Sequence, residues 1–381
     1  MRILRLRLEN WRNFRKLDIN LQKRVFFVGP NASGKSNILD AIRFLQDVVS
    51  EGGGLREAVG RRQGVSKIRC LAARRQPDVA LSVELGEGGN GVEWSYRLVF
   101  NQDNRSRPIV KEERVSNSGG AVLSRPDNED EQDRERLAQT HLEQVSANKE
   151  FRPIVSFLNS MRYLHIVPQL IRDPHRYQVR ERDFYGSDFL EQLVRTPERR
   201  REKRLAKITN ALRIAVPQLK ELKVVRDPTR GTPHLEGLWK HWRPNAGWQR
   251  EDQFSDGTLR LLGLLWALLD GEGPLLLEEP ELSLHSGVVQ HIPKMFAHIA
   301  GRRGRQVIVS THSAEILSDR SIALDEVFLL RPGPEGTDVT CAKDEEEIRI
   351  LLEDKNITLG DVVIPKTTPQ DSDQLGMFDQ Q

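Results

Sequence analysis

The chain opens in alternation. In Met1-Arg-Ile-Leu-Arg-Leu-Arg-Leu8 charged and apolar residues follow each other with the period of two that a half-buried strand requires. Residues 2–8 and 16–28 read as three short strands, and the last, Arg24 to Val28, runs straight into a glycine-bearing turn. Beyond that turn the apolar spacing becomes helical over Asn37 to Val49. Alternating segments around 66–73, 79–85, 92–100 and 109–116 predict an antiparallel sheet built onto the first strands. From Asn117 to Arg136 glycine, serine and acidic residues dominate, which predicts a mobile surface loop without catalytic residues.

The second half alternates between the two periods. Glu150 to Met161 reads as a helix, Tyr163 to Val167 as a buried strand, and Asp188 to Ala215 as two consecutive helices. A strand over Leu219 to Val225 is followed by a loop holding Trp239, Trp242 and Trp248, and then by a strongly apolar helix from Asp256 to Leu269. A strand at 274–278, a helix at 285–300 and strands at 306–310 and 326–331 complete the pattern, with no internal repeat and no sustained heptads. The implied fold class is α/β: a mixed central sheet, an N-terminal antiparallel sheet and a helical, basic insertion at about 186–218. The boundaries fall at 1–332 for the main head, 333–364 for a small C-terminal extension and 365–381 for a disordered tail rich in Gln, Asp and Thr.

Composition narrows the setting. A chain of 381 residues buries a core without covalent staples. Its cysteines, Cys70 and Cys341, have neither disulfide-framework nor zinc spacing, so a reducing compartment, the cytoplasm, is the simpler expectation. The N-terminus lacks the continuous apolar stretch of a signal peptide, and the longest apolar run, Leu261 to Leu269, is far short of a membrane span. The net charge of +3 hides a basic run, Arg195 to Lys207 (RTPERRREKRLAK), readable either as a phosphate-binding surface or as the solvated face of a helix.

Two motifs carry chemistry. Gly29-Pro30-Asn31-Ala32-Ser33-Gly34-Lys35-Ser36 matches GxxxxGK[ST] between a strand and a helix that begins at Asn37. Its glycines let successive N–H groups face phosphates, Lys35 supplies a point charge, and the Ser36 hydroxyl suits Mg²⁺. Gly273-Pro-Leu-Leu-Leu-Glu278-Glu279-Pro-Glu281 delivers two adjacent carboxylates at the C-terminal end of a buried strand, the end at which open α/β sheets bind ligands. There Glu278 suits a metal and Glu279 a general base toward water.

With these motifs in order, the sequence resembles the ABC-type ATPases of the SMC and RecF branch, particularly the compact bacterial heads of OLD-like and related anti-phage systems. The resemblance frames residues 1 to about 332. It implies a P-loop NTPase head using ATP and Mg²⁺, with catalytic Lys35, Glu279 and His312. Phe254-Ser255-Asp256-Gly257-Thr258 looks like the family's signature loop, which implies that Ser255, Asp256 and Gly257 complete the site of a second copy in a head-to-tail homodimer. His312, after Val307-Ile-Val-Ser-Thr, looks like the switch histidine; Gln169 stands where a Q-loop residue would ligate Mg²⁺ with Ser36 and Glu278; Arg12 or Asn13 stands where relatives contact the nucleotide. Most relatives carry Asp where Glu278 stands, which implies relaxed metal geometry and slow hydrolysis.

The remaining length limits the rest. No room exists between Ser36 and Phe254 for long coiled-coil arms, and Asp371-Ser-Asp373 lacks the preceding strand of a built-in Toprim nuclease. A separate effector protein, Toprim-like by resemblance, is therefore expected. Nucleic acid is a candidate partner through Arg195 to Lys207, and Gln374-Leu-Gly-Met-Phe378 resembles a sliding-clamp docking peptide. No membrane association is expected. The leading expectation is an ATP-driven switch in anti-phage defence. A RecF-like repair ATPase and a non-hydrolysing ATP-dependent scaffold remain the alternatives.

Overall fold

The computed structural model describes residues 1–73, 76–88, 91–173, 183, 185–243 and 247–368. Contacts divide the chain into two units: unit 1 comprises Met1–Arg162, Glu272–Leu276 and Phe296–Gln381, and unit 2 comprises Tyr163–Gly271 and Leu277–Met295.

In chain order unit 1 begins with β1 (Arg2–Trp11), β2 (Phe14–Asn20), β3 (Arg24–Val28), α1 (Lys35–Val49), α2 (Leu55–Gly60), α3 (Val65–Ile68), β4 (Val79–Gly86), β5 (Trp94–Gln102), β6 (Pro108–Asn117), β7 (Gly120–Arg125), α4 (Asn128–Gln132) and α5 (Arg152–Ser160). The antiparallel sheet predicted from alternation is present, in the order β2-β1-β4-β5-β6-β7. The helix α1 buries Ile38, Leu39, Ile42, Phe44 and Leu45. Phe44 meets Trp11 of β1 edge-on at 5.3 Å and Phe100 of β5 face-on at 5.4 Å, which seats α1 on this sheet.

The chain leaves unit 1 within β8 (Arg162–Leu164). Unit 2 continues with α6 (Pro168–Arg172), α7 (Phe189–Arg195), α8 (Glu198–Ala215), β9 (Leu219–Arg226), β10 (Pro233–Trp239), β11 (Trp248–Arg250) and α9 (Asp256–Leu269). β12 (Leu275–Glu278), α10 (Ser286–Val289) and α11 (Ile292–Arg302) follow, and unit 1 closes with β13 (Val307–Thr311), α12 (Ala314–Leu317), β14 (Val327–Gly333), β15 (Gly336–Cys341), α13 (Glu346–Leu351) and α14 (Leu359–Thr367). The second sheet runs β15-β14-β3-β13-β12-β8, with β13 and β14 both parallel to β3. Every residue of β3 and β13 is buried, as expected of central parallel strands. Within unit 1 the Gln306 side chain bonds Ile3 N, Ile3 O and Gln22 O at 2.8–2.9 Å and so ties β1 to the start of β13.

Several expectations are corrected. Residues 66–73 are not a strand: Gly64, at φ +100°, starts the single turn α3, which buries Val65 and Ile68. Residues 117–136 are not a loop but β7, α4 and a further helical turn. Most of the stretch is exposed, but Arg125 and Asp130 face inward, where Arg125 pairs with Glu113 at 3.1 Å and Asp130 at 2.7 Å, all three side chains fully buried. Glu113 also accepts from Tyr96 Oη and the backbone N–H groups of His141 and Leu142, so the buried charges are both paired and hydrogen-bonded. The tryptophan stretch supplies strands at its two ends, with Trp239 ending β10 and Trp248 in β11 opposite Leu238, while Trp242 lies outside them as expected. The helix expected at 285–300 divides into α10 and α11 near Pro293, which cannot donate a backbone bond. Inside 186–218 lie the two expected helices, and α8 packs on the three-stranded sheet β11-β10-β9. The stretch 333–364 contributes β15 to the second sheet and is part of unit 1. α14 reaches Thr367, inside the tail predicted to be disordered; Gln374 to Phe378 lie outside the described residues.

Candidate functional site

In unit 1 the glycine loop leaves β3 after Val28 and enters α1 at Lys35. Close approach dictates its residues. A Cβ at Gly29 would stand 2.6 Å from Ser33 Oγ and 2.8 Å from Leu330 O; one at Gly34 would stand 2.1 Å from Asn13 Nδ2, and Gly34 has φ +98°. Ala32 also adopts a left-handed conformation, φ +63°. The loop's curl leaves the backbone N–H groups of Asn31, Ala32 and Gly34 without a hydrogen bond among the described residues, while Ser33 N closes a turn onto Pro30 O at 3.2 Å. Lys35 is buried and its Nζ donates to Gly29 O (2.8 Å) and Pro30 O (2.9 Å), folding the ammonium under the loop. Ser36 is exposed at the first turn of α1, with Asn37 beside it.

Asn13 braces this loop. Its Nδ2 donates to Ser33 O (2.9 Å) and Thr337 Oγ1 (2.6 Å), its Oδ1 accepts from Asn37 Nδ2 (2.8 Å), and Thr337 Oγ1 donates to Ser33 O (2.8 Å). Arg12, at φ +53°, bonds Lys67 O at 3.1 Å and pairs with Asp40 of α1 at 3.6 Å. Both candidate nucleotide contacts are thus committed to protein partners, Asn13 to the loop and Arg12 to the flank of α1. His312 follows β13 as Gly29 follows β3, and these parallel strands are in register at Thr311 and Val28, so the two residues leave the sheet at neighbouring C-terminal ends. His312 is exposed, and Ser313 caps α12 through Ile316 N while donating to Glu315, whose carboxyl is held below its usual range chiefly by that bond.

Unit 2 gathers the remaining candidates. Ser255 is the N-cap of α9, its Oγ accepting from Thr258 N at 3.2 Å, so the signature-like loop is a capped helix start. Asp256 pairs with Arg172 at 2.6 Å and accepts from Gln169 Nε2 at 3.4 Å. Gln169 is therefore brought to the signature-like loop. A Cβ at Gly257 would stand 2.6 Å from Ser283 O, so the turn after β12 presses on the tip of α9. Glu279 opens that turn at φ +43°, a strained conformation for a non-glycine residue. Its neighbour Glu278 accepts from the Tyr163 hydroxyl, with His165 Nδ1 at 4.0 Å. Arg260 of α9 lines a small cavity with Glu278 and Glu279; burial lowers its pKa, opposed by Asp256 and Glu279. Sequence reasoning missed Thr337, Tyr163 and Arg260, because nothing local to them signals chemistry.

A family model described as "AAA domain, putative AbiEii toxin, Type IV TA system" matches residues 24–318, well over half of the chain. The chain belongs to this AAA family. Among solved structures the AAA chain is similar to an Smc head bound to the C-winged helix domain of ScpA (14% identity, TM-score 0.56, covering 92% of this chain and 100% of that one). It is also similar to Smc heads derived from Pyrococcus furiosus (13% identity, TM-score 0.53, 93% and 99% covered) and Pyrococcus yayanosii (13% identity, TM-score 0.51, 93% and 99% covered). The fold is that of an SMC-like, ABC-type P-loop ATPase head. No curated protein matches the sequence. No helix among the described residues is long and apolar enough to cross a membrane.

The residues present fit a nucleoside triphosphate with Mg²⁺. The curled loop, the tucked ammonium and the buried Ser33 Oγ, which has no partner, form a cradle that any added Cβ would fill. Among the described residues no three His, Cys, Asp or Glu side chains converge as a metal cage.

Proposed function

We propose that this chain is an ATP-hydrolysing switch in which two copies close head-to-tail on nucleotide and thereby govern a separate effector in prokaryotic anti-phage defence. The observation that carries the reading is the glycine loop, whose unbonded N–H groups, left-handed turns and buried Lys35 suit a triphosphate and little else. In this reading residues 29–37 bind the phosphates, with Lys35 released from Gly29 O and Pro30 O to the β and γ oxygens. Ser36, Glu278 and Gln169 are the residues that would hold Mg²⁺, which supplies charge neutralisation across the phosphates. Glu279 takes the proton from the attacking water, and His312 donates to the γ-phosphate and registers its loss. Ser255, Asp256 and Gly257 of one copy finish the site of the other, their capped helix start stabilising the anion. Asn13 and Arg12 act as braces of the loop and of α1.

The family description, which names a putative AbiEii toxin and a type IV toxin–antitoxin system, supports defence over RecF-like repair. The Smc head solved with a winged-helix domain of ScpA supports effector control by docking, with a Toprim-like nuclease as the proposed effector. The proposed location is the cytoplasm. One observation favours the scaffold alternative: the Glu278 carboxylate already accepts a hydrogen bond from the Tyr163 hydroxyl.

The test is ATP turnover together with size measurement. Glu279→Gln should bind ATP, lose turnover and run as a dimer; Ser255→Arg should bind ATP yet stay a monomer without turnover. Equal turnover in wild type and Glu279→Gln would remove the hydrolytic reading. A nucleotide-loaded Glu279→Gln protein that stays monomeric at high concentration would remove the head-to-tail dimer.

A further inference from the structure

Two features of unit 2 serve neither the nucleotide motifs nor the core. The first is on α8. At about 100° per residue, Arg199, Arg200, Lys203, Lys207, Asn210 and Ile214 share one arc of roughly 100°. All six are exposed, Ile214 at 84%, while the opposite side buries Leu205, Ile208 and Leu212. The acids Glu198 and Glu202 lie outside that arc. Arg201 reaches Glu198 and Arg204 pairs with Asp270, but Arg199, Arg200, Lys203 and Lys207 have no ion pair among the described residues. Four uncompensated cations thus line about 12 Å of helix surface.

The second feature is the loop after β10. Lys240 N donates to Gln218 O at 2.7 Å, in the turn that leaves α8, so this loop is anchored just beyond the C-terminal end of the helix that carries the cations. There Trp242 is 78% exposed. Its ring stacks on His241 at 5.6 Å, the Arg243 guanidinium lies 4.4 Å from its centroid, and Arg243 N donates to His241 Nδ1 at 3.0 Å. The indole is carried outward by a hydrogen-bonded loop and stays exposed, with His241 stacked against the ring and the Arg243 guanidinium over it, side chains that a stacking base would share or displace.

Phosphates and a flat aromatic ligand explain both features together. A duplex hides its base faces, whereas an unpaired strand offers them for stacking. We propose that α8 and the loop at 240–243 form a binding surface for single-stranded nucleic acid, with phosphates along Arg199, Arg200, Lys203 and Lys207 and a base on Trp242. This deepens the switch reading by naming what the heads hold, and it rests on that reading only for the purpose of binding.

The experiment titrates the full chain into a fluorescein-labelled 20-nucleotide oligo-dT, a 20-base-pair duplex and labelled polyglutamate, over a range of salt concentrations. Oligo-dT should bind tightest, with a log K against log[salt] slope of about −3 for four phosphate contacts. Lys203→Ala/Lys207→Ala should flatten that slope by about 1.4, and Trp242→Ala should weaken binding about tenfold or more with the slope unchanged. ATP turnover of Trp242→Ala should match wild type. Lys35→Ala should lose turnover yet bind oligo-dT as wild type does, so failure of the ATPase reading and failure of this surface are distinguishable. No oligo-dT binding at low salt, a duplex preference indifferent to Trp242→Ala, or tighter binding of polyglutamate would each overturn the proposal, the last in favour of an acidic protein partner.

Discussion

Asn13→Ala tests whether the glycine loop is preorganised from outside itself. The side chain makes three hydrogen bonds, to Ser33 O, Thr337 Oγ1 and Asn37 Nδ2, all part-buried. Ser33 O keeps its bond from Thr337 Oγ1, and Asn37 can turn to water, so the substitution strands no buried group. At about 1 kcal/mol net per bond, with one bond partly replaced by solvent, the loop loses about 2 kcal/mol of order. Nucleotide binding must then supply that ordering, which corresponds to roughly thirtyfold weaker affinity. Calorimetric ATP titration of the full chain measures this, with a thermal melt as control for folding. Thr337→Val removes two bonds of the same network from the β14–β15 hairpin and should reproduce part of the loss, and the double variant should lose less than the sum of the singles. An Asn13→Ala protein with affinity within twofold of wild type, or a Thr337→Val protein unaffected while Asn13→Ala is impaired, would refute the brace in favour of no role or of direct contact.

Gly257→Ala should cost about 1–3 kcal/mol of stability, because its Cβ meets Ser283 O at 2.6 Å with no flexible atom to yield, and turnover should fall with it; an unchanged melting temperature would contradict this. Tyr163→Phe removes one hydrogen bond from the Glu278 carboxylate, so the Mg²⁺ concentration for half-maximal turnover should change severalfold while ATP affinity measured without metal stays constant. Asp130 has its pKa lowered to about 2, first by the hydrogen bond from Arg125. A depressed carboxylate pKa stabilises fully above the unfolded value, so this contribution is lost as pH falls from about 4 towards 2. The urea midpoint of wild type should therefore drop more steeply over that window than that of Asp130→Asn; parallel profiles would count against the assignment. Asp130→Ala at neutral pH, which leaves the buried Arg125 with one partner fewer, should destabilise by about 3–5 kcal/mol.

The sequence by itself determined what is encoded over short range. The strand–loop–helix around Lys35, the alternation of β1, β4, β5 and β6, and the capped apolar helix α9 each announce themselves within some fifteen residues, because period, turn chemistry and caps are local properties. For the same reason the phosphate loop, Glu279, Ser255 and His312 could be named as candidates. Tertiary structure decided the partners. Thr337 reaches Ser33 across 304 residues, and Tyr163 reaches Glu278 across 115, spacings that no local pattern predicts. Residues 117–136 read as a surface loop because glycine, serine and acidic residues dominate them, and most are exposed, yet Arg125 and Asp130 are buried, since a charge enters a core once the fold brings its counter-ion to it. Hydrophobic period records which face of a segment avoids water; which polar groups avoid it too depends on what the rest of the chain places opposite.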